Sequence, residues 1–543
     1  MSTNQVESNA GDAIAPNAYR LLWAGFMAIL AAGVGYSVRG GILGQWATQF
    51  GFSMTELGGI TGGGLTGFGI VIILSSLIAD KVGYGKLMAG AFLCHVVSAV
   101  LTYSAPAAFA AGGKEAAFNC LFWGMFIFAI GNGLCEAVVN PLTATLFPKN
   151  KTHYLNILHA GWPAGLVLGS VASALMAAQT NDAGEEIAKA TDWKIQMSLF
   201  LIPVILYGVM LLGQKFPKSE AATSGVSMGE MMATLLAPLM IFLLIIHAMV
   251  GYVELGTDSW ISKITGAIMG SPKKGLILFS YTSMLMFALR FVAGPIVHKI
   301  SPLGLLCVSG ILGATGLMLL GSAETVAACV IAATVYAVGK TFLWPTMLGV
   351  VSEQFPKGGA IAIGALGAAG MLSAGLLGSP AIGFKQDYHA SKHLKETSTD
   401  AFGRYKAIEY DDAKKSYTGK DKVTSKFGFE TVGLDEAKVG VLKDRGKELD
   451  RVMKLVTAGT LKDEKGNVKA LADWWSTAKL TADADKKPVG EAGVYGGKMA
   501  LKLTAYVPAM MAVCYLLLIL YFKARGGYKA LNVAEEKAAE AAH

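Results

Sequence analysis

The sequence predicts an all-α membrane protein, with twelve transmembrane helices in two pseudo-symmetric six-helix bundles. Three observations carry that expectation. The 543 residues are 53% hydrophobic and 15% charged, with a mean hydropathy of +0.49, whereas soluble domains sit near a quarter charged. The apolar residues fall in runs of about 20–30, long enough to cross a hydrocarbon core of about 30 Å. Short segments also recur at matching places in two halves. Ala129-Ile130-Gly131-Asn132 echoes Ala337-Val338-Gly339-Lys340, and Phe147-Pro148-Lys149 echoes Phe355-Pro356-Lys357. Asp80-Lys81-Val82-Gly83 echoes His298-Lys299-Ile300-Ser301.

In chain order, a polar tail (1–19), with no cleavable leader expected, precedes the first bundle (20–213). Its spans are read at 20–45, 55–79, 87–106, 117–147, 154–178 and 195–213. A polar linker (214–235) leads to the second bundle. Spans seven to eleven (236–384) are read at 236–264, 275–297, 303–322, 325–355 and 359–384. The twelfth lies at 501–522, before a polar tail (523–543). The fourth and tenth spans are over-long, so their ends are expected to project beyond the lipid. The segment 385–500 breaks the pattern and holds about half of all charged residues. It reads as a hydrated insertion, with an amphipathic helix at 436–456 and a second at 468–480. Small residues suit close helix packing in lipid, and Gly161, Gly165, Gly169 and Gly59, Gly63, Gly67 are spaced for it.

Loop charge predicts the orientation. One side collects Lys81, Lys86, Lys149, Lys151, Lys215, Lys218, Lys299, Lys357, Lys523, Arg525 and Lys529. The positive-inside rule makes that side cytoplasmic, with both termini there and the insertion outside. The other side holds mixed charge, such as Asp182, Glu185, Glu186, Lys189 and Asp192, while Lys263, Lys273 and Lys274 dissent. A multi-pass protein of the cell (inner) membrane is expected. The net charge of +8 follows from these loops and does not point to nucleic acid. The six cysteines lie within spans with no CxxC pair, so neither disulfides nor a metal site is expected.

The candidate site begins with Asn132, Glu136 and Asn140, at i, i+4 and i+8 on one face of the fourth span. A carboxylate at the bilayer centre costs about 2.5–3.5 kcal/mol on insertion scales, so a retained one is expected to face a watery path. Its alternative is a fixed salt bridge to Arg39. On the seventh span Glu254 and Asp258 share a face, and Arg39, Arg290 and Lys340 are cations that can neutralise these carboxylates. Across the repeat Lys340 falls on Asn132 and Trp344 on Glu136. Tyr336, Lys340 and Trp344 then make a stripe opposite the fourth span's polar one. Asn156 and His159 sit together on the fifth span, and His95 and His247 read as structural.

The stretch from Ser76 to Lys86 resembles the loop signature of the major facilitator superfamily, G-x-x-x-D-R-x-G-R-R/K. Asp80 and Gly83 match; Ser76 replaces the first glycine, Lys81 the arginine, and Lys86 alone stands for the final pair. The resemblance implies a major facilitator fold and a conformational latch at Asp80, Lys81 and Gly83, with the aspartate near the start of the eleventh span at Gly359. Glu136-Ala137-Val138-Val139-Asn140-Pro141 and Leu155-Asn156-Ile157-Leu158-His159 are similar to the fucose/hexose–proton symporter branch. So are Tyr252, Glu254 and Trp260 in the seventh span and Arg290 to Gly294 in the eighth. Departures exist. Aligning on Gln45 puts Gly40 where that branch has an aspartate, and Trp162 replaces a polar amide.

The expected function is secondary active transport of a small polar solute, a sugar or sugar-like molecule, by alternating access with proton symport through Glu136. The alternatives are an organic anion carrier using Arg39, Arg290 and Lys340, and a non-transporting sensor that kept the carrier fold. No enzyme motif is found. The expected partners are the substrate, a coupling proton and the bilayer. The chain is expected to act as a monomer without cofactor, metal or nucleic acid.

Overall fold

The computed structural model describes residues 14–52, 56, 57, 59, 60, 64–177, 179, 180, 186–188, 190–411, 413–426, 428–459, 463 and 466–536. Gly63, Asp182, Glu185 and Lys189 lie outside the described residues, as do 1–13 and 537–543 of the two tails. Among the described residues, nine helical stretches are long and apolar enough to cross a membrane. The longest, Tyr84–Leu146, is two helices meeting at Gly113, where φ is 70°.

The first half comprises α1 (Ala18–Phe50), α2 (Gly64–Val82), α3 and α4 (the two arms of Tyr84–Leu146), α5 (Lys151–Met176) and α6 (Trp193–Leu211). The second comprises α7 (Pro238–Ile268), α8 (Pro272–Arg290, continued to residue 300), α9 (302–322), α10 (Val326–Gln354) and α11 (Pro356–Thr397). It closes with α12 (Ala482–Thr504, running on as Tyr506–Ala524). This layout agrees with twelve spans.

Backbone geometry repeats between the halves where the sequence echoes. Phe147 ends α4 at φ −128°, ψ 62°, and Phe355 ends α10 at φ −131°, ψ 55°. Gly83 turns the chain from α2 to α3 at φ 92°, and Ser301 turns it from α8 to α9 at φ 65°. Helix contacts repeat too. On α5, a Cβ at Gly161 or Gly165 would collide with the carbonyls of Phe26 and Leu30 on α1. On α11, the backbone at Gly370 and Gly378 meets Gly251 and Gly256 of α7 in the same way. Such approaches replace side-chain packing with backbone contact, as membrane helices favour. Gly59 and Gly67 differ from expectation. Their nearest neighbours are Phe118 and Phe126 rings 3.8 Å from the Cβ position, an ordinary contact and no close helix crossing.

The helices α11 and α12 run on past the bounds 384 and 501 read from the sequence and carry a cap between them. The cap holds two antiparallel hairpins, Ile408–Asp411 with Ser416–Asp421 and Val423–Lys426 with Phe429–Val432. Its core includes Leu394, Tyr405, Leu442, Leu449 and Trp475. The single helix expected at 436–456 is two, Glu436–Asp444 and Lys447–Thr457. Arg445 and Gly446, at φ 57° and 79°, break it. The cap is tied to the second half, where Lys263 of α7 pairs with Glu436 of the cap at 3.0 Å; beneath it Lys385 of α11 donates to the Tyr252 hydroxyl of α7 at 2.9 Å. A cap acid therefore neutralises one of the lysines that dissented from the loop-charge rule. The cap marks one membrane face, the cap side; the chain beyond α12 marks the other, the tail side.

Candidate functional site

A small cavity lies between the halves, near the middle of the spans. It measures about 30 Å³ in space open to a water centre, room for a water or two. From the first half Asn132, Glu136, His159 and Trp162 line it; from the second, Glu254, Arg290 and Trp344 do so. Apolar residues, Phe68 and Met371 among them, fill the rest of the wall, and neither of these two is distinguishable in the sequence from ordinary apolar packing.

The polar residues form a chain of contacts that crosses from one half to the other. Asn140 Nδ2 donates to Glu136 Oε2 at 2.6 Å. With its nitrogen committed, the Asn140 amide oxygen accepts from His159 Nε2 at 2.8 Å. The carbonyl of His159 accepts from Arg290 Nη1 at 2.5 Å, and Arg290 Nη2 reaches Glu254 Oε1 at 3.0 Å. The second Glu254 oxygen has no hydrogen-bond partner among the described residues. Helical spacing explains the first-half part: Glu136 and Asn140 are one turn apart on α4, facing α5.

The two carboxylates differ in kind. Glu254 is an ion pair with Arg290, both almost wholly buried. Glu136 has an amide partner and no ion pair with Arg39. Arg39 lies instead over the Phe128 ring, 3.7 Å from its centroid. Along the helices Arg39 is 21 residues above the tail-side end of α1, and Glu136 is ten from the end of α4. At a rise of 1.5 Å per residue they sit about 15 Å apart in height.

The seventh span contains a π-turn, Tyr252–Gly256, which inserts extra backbone between Glu254 and Asp258. A π-turn rotates the helix beyond it relative to the helix before it, and the two acids take separate cations. Asp258 pairs with Lys340, away from the cavity. The stripe on α10 is therefore divided: Trp344 faces the cavity, Lys340 turns to Asp258, and the Tyr336 hydroxyl donates to the Val253 carbonyl at 2.8 Å. Gln45 also stands apart, donating to the Thr191 carbonyl at 3.1 Å on the cap side. His95 bridges Tyr207 at 2.9 Å and Asn132 at 3.0 Å, so both ring nitrogens are occupied. His247 is buried against Trp344, with ring centroids 4.6 Å apart.

On the tail side the halves are sealed by polar contacts. Asn156 donates to Thr346 at 3.2 Å, Thr152 to Glu353 at 2.8 Å, and Lys151 to the Ser352 carbonyl at 2.9 Å. Glu353 escaped the sequence reading; its one signal was a carboxylate two residues before the Phe355-Pro356-Lys357 echo. Asp80 lies near the start of the helix Gly359–Ser373, with its Oδ2 3.6 Å from the Cβ position of Gly359. Lys81 is exposed and Gly83 supplies the turn.

Comparison with known proteins places the fold. A family model described as Major Facilitator Superfamily matches residues 25–379. No curated protein sequence matches the chain. Among solved structures, FucP of E. coli in the outward conformation is similar at TM-score 0.54 and 17% identity, covering 68% of this chain and 92% of its own. The E. coli proton:xylose symporter XylE, bound to 6-bromo-6-deoxy-D-glucose, gives TM-score 0.54 at 14% identity, covering 68% and 89%. An inward-facing bacterial homologue of the human lysosomal transporter Spinster gives 0.56 at 13%, covering 92% and 97%. At these identities the likeness is one of fold.

Proposed function

This chain belongs to the Major Facilitator Superfamily, and on that premise we propose that it moves a small polar solute, a sugar or sugar-like molecule, by alternating access with a proton carried on Glu136. The observation that carries this reading is the contact chain from Glu136 through Asn140, His159 and Arg290 to Glu254, which joins the halves around one cavity. A proton carrier needs a carboxylate whose charge state is coupled to the contact between halves. Glu136 meets that need because it is paired with no cation among the described residues. Ionised in a low-dielectric wall, it offers Arg290 a second acceptor in competition with Glu254; protonated, it does not. The Trp162 and Trp344 rings, with Asn132 in the same lining, suit the C–H face and hydroxyls of a sugar ring.

The cavity is far below the 300–1,000 Å³ of ordinary ligand pockets, so substrate entry requires the halves to part. In this reading the lysine-rich tail side is cytoplasmic, the cap lies outside, and the Asp80 loop latches α11. In proteoliposomes, Glu136→Gln is expected to abolish accumulation driven by a pH gradient while keeping solute counterflow. Normal accumulation by this variant would overturn the proton role. Screening hexoses against carboxylates in the same assay tests the solute class. An organic anion is the second reading, favoured by the unpaired Arg39.

A further inference from the structure

We propose that the transported solute carries a carboxylate, as a hydroxylated monocarboxylic acid does, and that Arg39 receives that carboxylate on the cap-side approach to the cavity. The inference deepens the transport reading and rests on it.

Arg290 is held by Glu254 and Lys340 by Asp258. Arg39 is only 9% exposed, yet its Nε and Nη2 have no hydrogen-bond partner among the described residues. The Phe128 ring beneath it satisfies the face of the guanidinium. It cannot satisfy the N–H donors, which point outward in the guanidinium plane. The neighbouring His95 is already committed to Tyr207 and Asn132 and offers no negative charge. Buried cations in membranes normally pair. A planar fork of donors without an anion is shaped for bidentate carboxylate.

Placement connects this fork to the cavity. Ala28 and Ala32 of α1 line the cavity, and Arg39 lies seven residues beyond Ala32 on the same helical face. Between them Tyr36 packs on Trp162, ring centroids 5.6 Å apart, and Trp162 is itself a cavity wall. A solute entering from the cap side would meet Arg39, then the Tyr36–Trp162 pair, then Asn132 and Glu136. Further in, Arg290 and Lys340 are already neutralised, so among the described residues lining this route Arg39 is the cation left to select for charge.

The test compares D-glucuronate and D-gluconate with D-glucose on the full-length protein, by ligand-induced thermal shift in detergent and by uptake in proteoliposomes. Both acids are expected to bind and be taken up in preference to glucose. Arg39→Gln should weaken acid binding by about tenfold or more, since a charge-assisted bidentate pair is lost. Arg39→Lys should recover part of it. Without ligand, Arg39→Gln should melt no lower than the native chain, because an unpaired buried charge has been removed; a structural arginine would give the opposite. Unchanged acid binding in Arg39→Gln overturns the proposal. If glucose accumulates and the acids do not, the charge assignment falls while the transport reading stands. If none of the three is bound or moved, both fall.

Discussion

Glu136 and Glu254 sit in one cavity wall yet should answer the same substitution differently. Glu254→Gln leaves Arg290 buried beside a neutral amide, and breaking a buried pair on one side costs about 3–5 kcal/mol. Glu136→Gln keeps an oxygen for Asn140 Nδ2 and strands no cation, so about 1 kcal/mol or less is expected. Scanning fluorimetry in detergent checks this; equal melting temperatures for the two variants would show that Arg290 does not depend on Glu254. The polar spacing on α4 was legible because a helix repeats its faces in sequence. The partner of each charge was not. Asp258 is a helical turn from Glu254 in sequence, but the π-turn sends it to Lys340. Arg39 and Glu136 are plausible partners until helix rise is counted. The empty donors of Arg39 could be found only from coordinates, since a sequence shows charges and never their vacancies.

The repeats were the most legible elements, and they expose one strained position. Gly83 and Ser301 hold equivalent turns at positive φ, but the second half uses a residue with a Cβ. At φ 65°, ψ 163° Ser301 occupies a region that is close to glycine-only and costs about 1–3 kcal/mol. Its hydroxyl recovers part of this by accepting from Gly304 N–H at 3.2 Å, and exchanging a serine cap for glycine loses only a few tenths of a kcal/mol. Ser301→Gly is therefore expected to stabilise the protein by about 1 kcal/mol, read as a higher melting temperature; a lower one would mean the cap outweighs the strain. The echoed turns were readable because they recur. The cap was less so: its hairpins lack clear alternation, and the Arg445–Gly446 break falls inside a continuous amphipathic pattern that periodicity alone reads as one helix.

At the scale of the molecule, alternating access is an equilibrium between closures of two faces, and such equilibria are set by a few kcal/mol. The tail side is closed here, and the chain beyond α12 helps close it. Tyr528 donates to Glu353 Oε2 at 2.8 Å, while Thr152 of the other half donates to Oε1 of the same carboxylate. Leu531 N–H donates to the Glu353 carbonyl and Gln354 to the Lys529 carbonyl. Further on, Val533 N–H meets Glu220 of the linker, which lies 3.6 Å from Lys151 of the first half. The tail thus positions the acid that joins the halves and grips the linker between them, although it comes after the second half in sequence. These bonds are each worth about 0.5–1.5 kcal/mol net, and those to Glu353 hold its carboxylate in place for Thr152 across the seam. Removing residues 528–543 should therefore weaken the Thr152–Glu353 contact and shift the population toward a tail-side-open form, by about tenfold for a loss of about 1.4 kcal/mol. Hydrogen–deuterium exchange in peptides covering 151–159 and 343–354 should quicken accordingly, with the peptides of the cap unaffected. Unchanged exchange at that seam would mean the tail rests on a gate that other contacts hold.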